Sequence, residues 1–245
     1  MDDILEAIYV GPLAGGKPDC LIVLCHGLHA DGSQLSQLAE VWRGALPSAG
    51  FALPHAPWAR RRLGFFRRKR REWFSIRDKS PDAYEAGVRA AAALLDRFID
   101  AELDRLALGP EDYVLAGYSQ GAMTVLFAGL RRAVPPRAIV AIAGSLIAPG
   151  RLAAEIRNRP PILLMHGMED QLVPVQSSRS AARELSGAGV LVETLYPAGL
   201  AHDLDEVEIR ESALFLRRIF KPRQIRGIFS KGNLSPDSDV KSYIV

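Results

Sequence analysis

Short apolar segments alternate with longer segments of helical periodicity along this chain, and this alternation limits the folds available to it. Five of the apolar segments have the composition of strands that are covered on both faces, as in a parallel sheet joined by crossover helices. A sixth, at residues 8–10, predicts an antiparallel strand at the sheet edge. The predicted fold class is α/β, with a mostly parallel central sheet and helices on both faces. The five segments are residues 21–25, 113–116, 138–142, 161–165 and 190–196.

The segments between the predicted strands indicate helices. The clearest pattern runs from Asp82 to Leu108, where apolar residues recur about every 3.6 positions. Ser80-Pro81 is typical of a helix start and Gly109-Pro110 of a helix end. Further helices are predicted at residues 119–132, 177–185 and 205–220.

Composition is that of an ordinary globular protein. The chain has 245 residues, of which 48% are hydrophobic and 24% charged, with a net charge of +3; this excludes a wholly disordered chain. We predict one domain over residues 1–220, with a lid-like basic loop at 55–80 within it, and a tail at 221–245. Cys20 and Cys25 fall on opposite faces of one predicted strand, which indicates buried thiols. The longest apolar stretch, 138–148, is too short to span a bilayer and no signal sequence is visible, so a cytoplasmic location is predicted.

A nucleophile motif stands between a predicted strand and a predicted helix. Gly117-Tyr118-Ser119-Gln120-Gly121 matches G-x-S-x-G, the turn that presents a serine hydroxyl at the carboxyl edge of an α/β sheet. The structural context gives this short motif its weight, because the pentapeptide alone also occurs by chance. Ser119 is the predicted nucleophile.

A serine nucleophile needs an imidazole base and a carboxylate that orients it. Asp170 and His202 each lie in a segment that follows a predicted strand, so both are expected at the same sheet edge as Ser119. Their order along the chain, serine then acid then histidine, is the order expected for this type of sheet. Glu169 is an alternative acid. His166 is an alternative base, although its position favours a hydrogen-bonded structural role.

Backbone amides are predicted to form the oxyanion hole. The segment His26-Gly27-Leu28 follows the first buried strand, so the Leu28 amide and the Gln120 amide are the expected donors. His26 and His29 could also bind a metal, but no third ligand is suitably spaced, and the triad chemistry requires no metal or other cofactor.

These motifs together resemble the phospholipase/carboxylesterase family of α/β-hydrolases, which includes acyl-protein thioesterases and small bacterial carboxylesterases. The resemblance covers roughly residues 18–218 and implies the α/β-hydrolase fold, with ester or thioester hydrolysis through Ser119, Asp170 and His202. The residues that carry it are Leu24–Leu28 with Asp31-Gly32, His55-Ala56-Pro57, Trp73-Phe74, Gly117–Ala122, His166–Asp170 with Val173-Pro174, and Gly199 with His202.

Two positions depart from the family pattern, and they bear on substrate binding. His29 and Ala201 stand where the family usually has glycine. A side chain at position 29 could narrow the pocket mouth or contact the substrate. The residues predicted to bind substrate are His29, Phe65, Phe66, Trp73 and Val173.

Residues 60–71 contain eight basic residues and two phenylalanines. Three interpretations stand: a solvated charged loop, a lid that covers an apolar cleft and contacts anionic lipid or an anionic group of the substrate, or a nucleic-acid-binding segment. The last is disfavoured because no nucleic-acid-binding motif accompanies the charge. The tail at 221–245 is interpreted as an arm that docks on a partner subunit in a homodimer, a disordered end, or an added extension.

The function predicted from the sequence is that of a serine carboxylesterase acting on small-molecule esters of short to medium acyl chains. An acyl-thioesterase or lysophospholipase that acts on longer chains is the main alternative. A further alternative is a non-catalytic protein that binds anionic surfaces.

Overall fold

The computed structural model describes residues 5–60 and 70–220. Within these residues, seven strands form one sheet, and two short strands form a separate antiparallel pair. In chain order the strands are β1 (Ala7–Val10), β2 (Cys20–Cys25), β3 (Ala49–Pro54), β4 (Trp58–Arg60), β5 (Arg70–Glu72), β6 (Tyr113–Tyr118), β7 (Ile139–Ile142), β8 (Ile162–Met165) and β9 (Val192–Leu195).

The main sheet has the order β1-β3-β2-β6-β7-β8-β9, and only β1 runs antiparallel to its neighbour. The parallel register places Cys25 beside Gly117, Tyr118 beside Ile142, and Ile142 beside Met165. The segments that follow β2, β6 and β8 therefore leave the sheet at one edge, which is where open α/β sheets bind their ligands.

Helices cover both faces of the sheet. They are α1 (Ser36–Ala45), α2 (Pro81–Leu106), α3 (Gln120–Gly129), α4 (Leu152–Glu155), α5 (Val175–Gly187) and α6 (Glu206–Phe220). One face of β2, with Ile22 and Leu24, packs with Trp42 of α1 and Phe215 of α6. The opposite face belongs to a second apolar cluster that includes residues of α2, α3 and α5. The fold is thus α/β with a three-layer core, as predicted.

Most of the predicted elements are confirmed. All five predicted central strands form, and residues 7–10 form the antiparallel edge strand. The four predicted helices form with shifts of a few residues at their ends. Ser80 caps α2, because its hydroxyl accepts a hydrogen bond from the Ala83 amide at 3.3 Å. Strand β3, helix α1 and the β4–β5 pair were not predicted.

Cys20 and Cys25 are both free and buried, and they belong to the apolar clusters on opposite faces of the sheet. The prediction for these thiols is confirmed. Within residues 5–60 and 70–220, no helix is both long and apolar enough to cross a bilayer.

Candidate active site

The turn between β6 and α3 holds Ser119 in a conformation that few residues adopt. Its backbone angles are φ 54° and ψ −116°, and its amide donates to the Ile142 carbonyl at 2.8 Å. Such a conformation persists only where its surroundings enforce it. A Cβ atom on Gly121 would lie 2.0 Å from the Cys25 carbonyl oxygen, so only glycine allows α3 to pack this closely on β2. The result is a hydroxyl held at the N-terminus of α3, where the helix dipole favours negative charge.

The three residues of the predicted triad are connected by hydrogen bonds. The Ser119 hydroxyl lies 3.0 Å from His202 Nε2, and His202 Nδ1 lies 2.6 Å from Asp170 Oδ2. We assign the imidazole proton to Nδ1, because the carboxylate can only accept it and Nε2 is then free to accept the serine proton. A hydrogen-bonded chain of this kind can remove a proton from the hydroxyl as the oxygen attacks.

The loop that carries Asp170 is hydrogen-bonded to the loop that carries His202. The Met168 amide donates to the Pro197 carbonyl at 3.0 Å, and the Glu169 amide to the Leu200 carbonyl at 2.9 Å. Gly167 allows this approach, since a Cβ atom there would lie 2.3 Å from the Leu200 carbonyl oxygen. Asp170 and His202, which are 32 positions apart in the sequence, are thereby held at hydrogen-bonding distance.

Asp170 is kept ionised by the donors around it. Burial alone would raise the pKa of the Asp170 carboxyl, but hydrogen bonds from His202 and from the amides of Val173 and Leu172 outweigh burial, so its pKa lies below the usual value. The Tyr118 hydroxyl donates to the His202 carbonyl at 2.8 Å and fixes the loop that carries the base.

The segment after β2, residues 26–29, lies opposite the elbow. His26 Nδ1 donates to the Gly27 carbonyl at 2.7 Å, and His26 Nε2 accepts from the Ala56 amide at 3.0 Å. Burial lowers the pKa of His26 to about 4, so the ring is a neutral support rather than a charged group. The Gly27 amide donates to Gln34 Oε1 at 2.8 Å, and the His29 amide, at a φ of 63°, donates to the Arg71 carbonyl at 2.7 Å. This network fixes Leu28 at the wall of the cleft beside Ser119.

A cleft of 540 Å³ opens at the triad. Ser119 and His202 line it, as do Leu28 and Gln120, whose amides are the predicted oxyanion donors. His29 and Val173, two of the predicted substrate-binding residues, also line it. The other lining residues are Gly27, Gln34, Phe74, Ile76, Lys79, Tyr84, Tyr118, Met123 and Leu172.

Trp73 lies behind the cleft rather than in it. Its side chain is fully buried, and its indole N–H donates to the His26 carbonyl at 2.8 Å, so it supports the segment that carries Leu28. The next residue, Phe74, lines the cleft instead. Phe65 and Phe66 lie outside the described residues, as do most of the basic segment 60–71 and the whole tail 221–245.

Sequence reasoning did not identify the role of the Gln120 side chain. Its Oε1 accepts from the Trp73 amide and its Nε2 donates to the Phe74 carbonyl, both at 2.8 Å. The only available signal was the position of Gln120 inside the motif, and the sequence cannot show a partner 47 residues away. In the described part of the chain, no three histidine, cysteine or acidic side chains are grouped so that they could hold a metal ion.

Comparison with known proteins places this geometry in a family. The model of the phospholipase/carboxylesterase family matches residues 14–220. The crystal structure of esterase PE8 has a TM-score of 0.79 at 34% identity and covers 88% of this chain and 99% of its own. Acyl-protein thioesterase 2 of Zea mays gives a TM-score of 0.70 at 26% identity, with 87% and 98% covered. Acyl-protein thioesterase 1 of Gibberella zeae is 26% identical over an alignment of 224 residues, which covers 86% of this chain and 94% of that protein. The chain belongs to the phospholipase/carboxylesterase family and is an ester-hydrolysing serine hydrolase of the α/β-hydrolase fold.

Proposed function

We propose that this protein is a carboxylesterase that forms an acyl-enzyme on Ser119, with His202 as general base and Asp170 as the orienting acid. The observation that carries the proposal is the unbroken hydrogen-bonded chain from the Ser119 hydroxyl through His202 to Asp170, at a cleft with many apolar residues. Esters of short to medium acyl chains are the proposed substrates.

The proposed reaction has two steps. The Ser119 oxygen attacks the ester carbonyl while His202 Nε2 takes its proton, and the amides of Leu28 and Gln120 stabilise the oxyanion. The protonated imidazole then gives its proton to the leaving alcohol, which leaves an acyl group on Ser119. Water attacks this acyl group with the same proton transfer and regenerates the hydroxyl.

The test is the Ser119→Ala variant on p-nitrophenyl butyrate. We expect kcat to fall by roughly 10⁴-fold or more, because no other group supplies the attacking oxygen. Ser186→Ala, an exposed serine on α5, is the matched control and should keep wild-type kcat. A fluorophosphonate should label Ser119 in the wild type only. Wild-type turnover by Ser119→Ala would overturn the assignment.

A second candidate is an acyl-thioesterase, and the thioesterases among the similar proteins favour it. Rates on C4, C12 and C16 acyl chains, each as a matched oxyester and thioester, distinguish the two. A decline in kcat/KM with chain length supports the carboxylesterase. A rising profile with preference for the thioester supports the alternative. Contact of residues 60–71 with anionic lipid, the homodimer and the cytoplasmic location stay predictions.

A further inference from the structure

A second histidine contacts the acid of the proposed triad. His166 follows β8 directly and is fully buried. Its Nε2 lies 3.0 Å from Asp170 Oδ2 and 2.7 Å from the Val173 carbonyl oxygen. Both neighbours accept hydrogen bonds, so the ring proton belongs on Nε2 and is shared between them.

The contact falls on the catalytically relevant oxygen of Asp170. Oδ1 accepts from the amides of Leu172 and Val173 at 2.8 and 2.9 Å, and Oδ2 accepts from His202 and His166. Without His166, the two amides would still hold Oδ1, but Oδ2 would keep His202 as its one donor among the described residues, so fewer contacts would fix the plane of the carboxylate. With both imidazoles in place, the carboxylate plane is fixed by donors on both oxygens.

Among the described residues, the His166 ring makes hydrogen bonds through Nε2 and none through Nδ1. The Nδ1 atom is buried. An unpartnered buried nitrogen costs free energy, so packing alone would favour an apolar side chain here. The Nε2 contacts with Asp170 and Val173 are the polar interactions that offset this cost.

We infer that His166 is a positioning residue for the triad acid: it directs Asp170 Oδ2 toward His202 and limits the negative charge that His202 meets. The inference rests on the proposed function of Ser119, Asp170 and His202. The titratable groups near Asp170 include His166 and the exposed Glu169 from its own loop, His202 from the loop after β9, and Tyr118 from β6.

Two substitutions separate positioning from packing. His166→Leu removes the donor, and His166→Gln returns an amide donor near the place of Nε2. We expect His166→Leu to lower kcat by about 10- to 100-fold, the effect of losing a hydrogen bond to a charged group, with KM within about two-fold of wild type. His166→Gln should recover most of the loss. Met165→Leu, at a fully buried neighbour, controls for core disturbance.

The pH profile of kcat gives a readout that a purely structural role would not move. In His166→Leu the Asp170 carboxylate has one donor fewer, so it stabilises the protonated form of His202 more strongly. The acidic limb of the kcat–pH profile should therefore move to higher pH by roughly half a unit to one unit. Wild-type kcat in His166→Leu would overturn the inference. An unchanged profile, with equal losses in the Leu and Gln variants, would also overturn it.

If His166→Leu does not fold, the His166→Gln variant is compared with His166→Asn, because the shorter Asn side chain cannot extend its amide to Asp170. The inference then requires Gln to be at least about ten-fold more active than Asn, and equal activity would overturn it. An active Ser119→Ala variant would instead refute the proposed function. An inactive Ser119→Ala with unaltered His166 variants would refute this inference alone.

Discussion

The hydrogen-bond donors around Asp170 support its proposed role as the acid of the triad. Two amides of its own turn hold one oxygen, and two imidazoles meet the other. Its neighbour Glu169, the alternative acid at the level of sequence, is exposed. The difference is geometric, because the turn that buries Asp170 points Glu169 into solvent.

At the residue scale, Asp170→Asn tests the acid. An amide nitrogen turned toward His202 would favour the tautomer that protonates Nε2, which cannot accept the serine proton. We expect kcat on p-nitrophenyl butyrate at pH 7 to fall by about 10⁴-fold. Glu169→Gln is the matched control and should stay within about two-fold of wild type. A loss confined to Glu169→Gln would reassign the acid.

At the element scale, the β4–β5 pair is part of the active-site support. From the end of β5, the Arg71 carbonyl accepts the His29 amide, the Trp73 indole donates to His26, and the Gln120 side chain binds both Trp73 and Phe74. The segment after β2, the segment after β5 and the nucleophile elbow are therefore one hydrogen-bonded unit.

Gln120→Met keeps the length of the side chain but removes both of its hydrogen bonds to this unit. The buried Trp73 amide and Phe74 carbonyl would lose their partner, which costs about 1–3 kcal/mol for each group. We expect a lower free energy of unfolding in urea and a higher KM, because Phe74 lines the cleft. Gln37→Met, on the exposed face of α1, should change neither quantity. Unchanged stability in Gln120→Met would show that the two bonds are dispensable.

At the scale of the whole molecule, the three-layer core includes a fully buried carboxyl, that of Glu208, which the proposed mechanism does not use. Glu208 in α6 is fully buried, and neither carboxyl oxygen has a hydrogen-bond partner in the described part of the chain. Burial, together with the charges of Asp205 and Asp203, raises the pKa of Glu208 to about 8. The folded protein therefore keeps a proton that the unfolded chain releases.

This proton makes stability depend on pH. Between the unfolded value of 4.5 and the folded value of about 8, the folded state binds more protons, so the free energy of unfolding falls as pH rises. The slope attributable to Glu208 is at most about 1.4 kcal/mol per pH unit and vanishes above pH 8. Glu208→Gln should remove this decline in urea titrations, whereas Glu206→Gln, an exposed neighbour, should retain it. Identical slopes in wild type and Glu208→Gln would refute the assignment.

The parts of the fold that could be predicted from the sequence are those whose pattern of apolar residues lies within one short segment. Buried parallel strands such as β2 and β8 are apolar throughout, and the proposed triad residues follow such strands, so their shared edge was predictable. Strand β3 was missed because it contains Gly50 and two alanines and has no β-branched residue. The burial of Trp73 and the bonds of Gln120 and His166 depend on distant partners, which hydrophobic patterning does not encode.

At Gly167, the loop that carries Asp170 packs closely against the loop that carries His202. A Cβ atom at Gly167 would lie 2.3 and 2.4 Å from the carbonyl oxygens of Leu200 and Ala201, and two backbone hydrogen bonds join the same loops, so a displacement of one loop should carry the other with it. Asp170 and His202 should therefore keep their mutual distance when these loops shift, while the Ser119 amide stays bonded to the Ile142 carbonyl.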